Sequence, residues 1–119
     1  MASSTTSTAA TALLDTGGHT AVAKLFKALG DPIRVKLLTL IHGAHAGERC
    51  FCDLAEEFDM PQSSLSHHLK ILVAAGILTR ERRGTWSWYR VDHDALDDME
   101  AILRPGGPLR SHPARHRAC

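Results

Sequence analysis

Residues 61–91, PQSSLSHHLKILVAAGILTRERRGTWSWYRV, constrain the fold more than any other stretch of the chain. Leu65, Leu69, Leu72 and Val73 recur at helical spacing, which predicts a helix from Gln62 to Ala75 with one apolar stripe. Pro61 suits a helix first turn, where its missing N–H costs nothing, and Gly76 is a stop. Ile77–Arg82 and Trp86–Val91 then read as two strands joined at Arg83-Gly84-Thr85. Alternation puts Trp86 and Trp88 on one face, so at least one of them is expected to pack against helices. The other side of the helix carries short polar groups and a cation: Gln62, Ser63, Ser64, Ser66, His67 and Lys70.

A polar-faced helix followed by a basic hairpin is the pattern of a winged helix-turn-helix. Such a unit lays one helix in the major groove of double-stranded DNA and a hairpin along the backbone. Gln62 has the donor and acceptor pair that reads adenine, and Ser63, Ser64 and His67 suit mixed base and phosphate contacts. Lys70 lies on the same face, and Arg82 and Arg83 at the hairpin tip are candidates for the backbone or the minor groove.

The remaining pattern fits around this unit. Residues 1–18 are rich in Ser, Thr and Ala and read as a flexible arm. Helices are expected over 19–29 and 32–42, the second started by Asp31-Pro32 as N-cap and first helical residue. Residues 43–49 read as a loop, and 50–59 as the helix that supports the reading helix, with Leu54, Ala55 and Phe58 inward. A last helix spans 93–103, capped by Asp92 and stopped by Pro105-Gly106-Gly107-Pro108. The expected class is mainly α with a small β-hairpin (α+β), in the order ααααββα. One DNA-binding and dimerisation domain covers 19–104, and a basic tail covers 105–119. A 119-residue chain builds a thin core, so a homodimer would bury more apolar surface.

The net charge of +1 hides an uneven distribution. Residues 61–91 carry Lys70, Arg80, Arg82, Arg83 and Arg90 against Glu81 alone. Acidic segments flank them, with Glu48, Asp53, Glu56, Glu57 and Asp59 on one side and Asp92, Asp94, Asp97, Asp98 and Glu100 on the other. This leaves one positive, phosphate-binding face. No apolar run is long enough to cross a membrane, and the N-terminus lacks the basic start of a signal peptide, so a cytoplasmic location is expected. Thiols stay reduced there, which makes Cys50, Cys52 and Cys119 ligands or sensors rather than structural disulfides.

The runs ALGDPIRVKLL, CFCDLAEEF, QSSLSHHLKILVAAGIL and RERRGTWSWYRV, in this order, resemble the ArsR/SmtB family of metal-responsive regulators over about residues 20–103. The resemblance implies a symmetric homodimer joined through the first and last helices. It also implies operator binding, chiefly as a repressor, and a change in DNA affinity when an ion binds. Cys50-Phe51-Cys52 matches the Cys-x-Cys of the arsenic- and cadmium-responsive members. Residues i and i+2 of an undistorted helix point apart, so two thiolates on one helix share an ion only if its start is unwound.

The third cysteine of the arsenic type is replaced here by Ala55, and the N-terminal arm has none of the cadmium type's cysteines. The remaining candidates to complete the site are Cys119, His45 and His19. A mixed Cys/His set suits Ni²⁺, Zn²⁺ or Co²⁺ better than Cd²⁺ or As(III). The family's last-helix site survives only as His93 with Asp97 or Glu100, and the tail offers His112, His116 and Cys119 at i, i+4 and i+7. Two other readings compete. One is a regulator of the same fold switched by thiol oxidation or by a regulatory protein partner. The other is a thiol enzyme, which the sequence disfavours because no base accompanies the thiols.

Overall fold

A computed structural model of the chain describes residues 18–110. Its elements are α1 (His19–Leu29), α2 (Pro32–His42), a 3₁₀ turn (His45–Gly47), β1 (Glu48–Cys50), α3 (Phe51–Ala55), α4 (Gln62–Ala74), β2 (Leu78–Arg83), β3 (Trp86–Val91) and α5 (His93–Leu103). The strands form one antiparallel sheet in the order β1-β3-β2. The expected arm and most of the expected tail, with His112, His116 and Cys119, lie outside the described residues.

The class is as expected, a helical domain with a small sheet, but the segment before the reading helix differs from the expectation. Residues 43–49 are not wholly loop: Glu48–Cys50 is a third strand, paired to β3 with Glu48 opposite Arg90 and Cys50 opposite Trp88. Three residues are too few to show alternation, and the partner strand lies some forty positions away, so nothing local announces it. The element order is therefore ααβααββα. The expected helix 50–59 is also shorter, starting at Phe51 and ending at Ala55. Beyond it, Lys36 Nζ donates to the Glu57 carbonyl at 3.2 Å and lies 4.7 Å over the Phe58 ring, which holds that segment in a turn against α2.

Local chemistry explains the other boundaries. The Asp31 carboxylate accepts the Ile33 N–H at 2.8 Å, with Pro32 opening the helix, and Asp92 accepts from the Asp94 N–H at 2.9 Å. Pro61 is the residue before α4 rather than inside its first turn, and its carbonyl accepts from the Ser64 and Leu65 N–H groups. At the far end Gly76 takes φ +82°, its N–H donates to Val73 O, and the Ile77 N–H donates to Leu72 O, both at 3.0 Å. This Schellman arrangement satisfies the last carbonyls and turns the chain straight into β2. The β2–β3 loop has two residues, Gly84-Thr85, and the left-handed φ of +64° at Gly84 suits a tight hairpin turn.

Leu37 and Ile41 of α2, Leu54 of α3, Leu65, Leu69 and Leu72 of α4, and Ile77 and Leu78 are fully buried in one core. A smaller cluster joins α1 to α5 through Val22, Phe26, Ala101 and Ile102. The fold thus clamps α4 by its apolar stripe and leaves its polar side outward.

Candidate DNA-binding and thiol site

The stripe of α4 divides its side chains as the periodicity requires. Leu65, Leu69 and Leu72 are buried, while Gln62, Ser63, Ser64, His67 and Lys70 are exposed and Ser66 is half-buried. His68, one residue around the helix, is half-buried. Arg34 of α2 donates to its Nδ1 at 3.0 Å and also to the Ala28 carbonyl. The acceptor Nδ1 assigns the proton to Nε2, and the bridge fixes α4 against α1 and α2.

The strand pleat sends the arginines of the wing to two faces. Arg80 and Arg82 fall in phase with the buried Leu78, while Thr79, Glu81 and Arg83 fall on the other side. A cleft of about 470 Å³ opens between α4 and the wing, lined by Phe51, Ser66, Lys70, Arg80, Trp86 and Ser87 among others. Arg80 Nε donates to Ser87 Oγ at 3.0 Å, which holds the guanidinium at the cleft wall. Arg82 has no ion pair among the described residues. The cleft therefore gathers two cations and several hydroxyls beside an exposed indole, a set that fits a phosphate.

Arg83, expected at the tip for DNA, is engaged elsewhere. Its Nη1 and Nη2 donate to the Glu48 carboxylate at 3.0 and 2.7 Å, Nη2 also donates to Glu81 at 2.7 Å, and its guanidinium lies 4.8 Å over the Trp88 ring. Arg90 donates to the same Glu48 carboxylate at 3.0 Å. Arg83 first and Arg90 second hold the Glu48 carboxyl down at about 2. Packing against the helices falls to Tyr89 and Val91, which are buried. Trp88 lies on the outer face under Arg83, and Trp86 is 51% exposed at the cleft.

The thiols converge for a reason the helical reading of 50–59 missed. Cys50 is the last residue of β1, with extended φ −87° and ψ 160°, and it caps α3 rather than belonging to it. Cys52 is the second residue of α3. The bend between strand and helix brings both Sγ atoms and an Asp53 carboxylate oxygen within 4.8 Å of one another. The i, i+2 divergence of a helix does not apply, and no unwinding is required. Cys50 is buried, Cys52 half-buried and Asp53 exposed, so the group is anchored at one end and open at the other. The hydrogen bond with Cys50, loss of water and the negative charges of Cys50 and Asp53 push the Cys52 thiol above its ordinary range.

Two sulfurs and one oxygen fit a tetrahedral borderline ion completed by water, and offer one thiolate too few for trigonal As(III). Asp53 is the donor that sequence reasoning overlooked; its signal was adjacency to Cys52. The other candidates among the described residues stand apart from this group. His45 is exposed in the 3₁₀ turn, beside a shallow recess with Thr39 and Arg49. His93 is exposed at the start of α5, edge-on to His42 with ring centroids 5.7 Å apart. His19 opens α1. Among the described residues, Cys50, Cys52 and Asp53 are the one set of three potential ligands that lies together.

Comparison with known proteins agrees with this architecture. Residues 31–80 match the model of the arsR family of bacterial regulatory proteins. An arsenical resistance operon repressor of Bacillus subtilis is 40% identical over 62% of this chain and 69% of that protein. An HTH-type transcriptional regulator of Methanocaldococcus jannaschii is 40% identical over 68% of this chain and 89% of that one. Among solved structures, the homodimeric winged helix-turn-helix DNA-binding domain of a possible ArsR-family regulator from Mycobacterium bovis superposes with a TM-score of 0.59. That match has 28% identity and covers 89% of this chain and 93% of that one. The winged unit, the exposed reading helix and these relationships make the chain a member of the ArsR family of transcriptional regulators.

Proposed function

We propose that the protein is a metal-responsive repressor that binds double-stranded operator DNA as a homodimer and changes its affinity when an ion binds at Cys50, Cys52 and Asp53. The observation that carries this reading is the convergence of two thiols and a carboxylate on the element that leads into the reading helix. In the DNA complex Gln62, Ser63, Ser64 and His67 meet base edges and nearby phosphates, while Ser66, Lys70 and Arg80 receive a backbone phosphate in the cleft. Arg82 extends the wing contact, and Arg83 acts mainly by bracing the sheet. Dimerisation through α1 and α5 would cover Leu103, which is 45% exposed at the end of α5.

Two thiolates and an oxygen favour Zn²⁺, Co²⁺ or Cd²⁺. An imidazole-rich nickel site would need His45 or His93, which stand apart from the thiols, or the tail histidines His112 and His116, which lie outside the described residues. Cys50, Cys52 and Asp53 would hold the ion, whose positive charge would favour the thiolates, with the two protons released to water, and would link the start of α3 to the end of β1.

The test is fluorescence anisotropy of reduced protein on the DNA upstream of its own gene, with and without Zn²⁺, Co²⁺, Cd²⁺, Ni²⁺ and arsenite. One ion is expected to change affinity about ten-fold, equivalent to about 1.4 kcal/mol of coupling, and Cys50→Ser or Cys52→Ser to remove the change. An unaltered response in both variants would overturn the assignment of the thiols.

A further inference from the structure

We propose that Phe51 is the positioning residue that passes ion binding at the thiols to the DNA surface; the proposal rests on the metal-responsive reading above. Phe51 is the only residue between the two cysteines, and its side chain lines the cleft between α4 and the wing. One side chain therefore belongs at once to the thiol turn and to the surface that meets DNA. The same cleft carries Lys70 from the reading helix and Arg80 and Trp86 from the wing.

The two thiols are held unequally. Cys50 is buried and fixed in the strand ladder opposite Trp88. Cys52 and Asp53 lie in the first turn of a five-residue helix whose one fully buried side chain is Leu54. Two sulfurs on one tetrahedral ion at about 2.3 Å stand about 3.8 Å apart with their lone pairs turned inward. Any closing of the sulfurs that an ion demands falls on the first turn of α3, because Cys50 is held in the strand ladder. Phe51 opens that turn and moves with it. A shifted ring changes the room between Lys70 and Arg80, hence the spacing of reading helix and wing that a DNA backbone must match. The ion then favours one Phe51 position and DNA the other, which is the differential affinity that coupling requires.

The experiment uses the reduced full-length chain with Cd²⁺, whose binding is followed by thiolate-to-cadmium charge-transfer absorption. Operator affinity is measured by anisotropy with and without saturating Cd²⁺ for wild type, Phe51→Ala and Phe51→Leu, each variant serving as its own ion-free reference. An ion effect of about ten-fold in wild type is expected to shrink below about two-fold in Phe51→Ala, with Phe51→Leu between, while Cd²⁺ still titrates the thiols. By reciprocity, DNA weakens Cd²⁺ binding to wild type and not to Phe51→Ala. A merely structural role would lower thermal stability and leave the ratio intact. A full wild-type ratio in Phe51→Ala overturns the proposal. Should that variant fail to fold, a full ratio in Phe51→Leu overturns it and a reduced one supports it. A wild type that binds Cd²⁺ with no change in DNA affinity defeats the metal-responsive reading itself, and this inference with it.

Discussion

The reading helix and the thiol turn are neighbours built on different principles. In α4, Leu65, Leu69 and Leu72 face the core and Gln62, Ser63, His67 and Lys70 face outward, so one element sorts its own side chains by its own period. In the thiol turn no single element does this. Cys50 comes from a strand held by β3, Cys52 and Asp53 from a helix of one turn, and the junction between them brings the donors together. A surface on a long helix is set locally, whereas a site at a strand-to-helix junction depends on a partner strand far along the chain.

The largest expected effect tests the local half of this comparison. Leu69 is fully buried, so Leu69→Ala should cost roughly 2–5 kcal/mol of folding free energy, read by urea unfolding. A cost below about 1 kcal/mol would mean that the stripe does not clamp α4. Next comes the polar face. Lys70→Ala and Arg80→Ala should each weaken operator binding and lower the salt slope by about one phosphate contact, with fluorescence anisotropy across a salt series as the readout. Equal slopes in wild type and variants would remove the cleft from the DNA interface.

Helix starts provide a smaller effect. Asp31→Ala should cost about 1 kcal/mol by freeing the Ile33 N–H, measured by thermal or urea unfolding. The subtlest test concerns the non-local half, since Glu48 joins β1 to both other strands through Arg83 and Arg90. Its folded carboxyl titrates at about 2 against an ordinary 4.5. The stability it contributes is therefore present above pH 4.5 and is lost as pH falls towards 2. Glu48→Gln should flatten that part of the stability–pH profile. An unchanged profile would show that β1 is held by its backbone ladder alone.

Much of this protein is legible in its sequence. The stripe of α4, the Gly76 stop, the Asp31-Pro32 and Asp92 helix starts and the two-strand wing all follow from patterns within a few residues. The thiol pair was visible as a motif, yet its geometry was not. Reading 50–59 as a helix forced Cys50 and Cys52 apart, and the true N-cap position of Cys50 removes the conflict. Arg82 and Arg83 looked alike in the sequence, and the pleat with Glu48 opposite separated them.

Sequence alone determined the elements whose signal is local: helical period, caps, glycine turns and strand alternation are written in neighbouring residues, so a short window contains each pattern. Tertiary structure decided that Arg83 is tied to Glu48, that Asp53 joins the two thiols, and that Phe51 lines the cleft between α4 and the wing. Those outcomes require β1 to find β3 and α3 to end against Lys36. They are contacts between distant segments, and no short window of residues contains both partners.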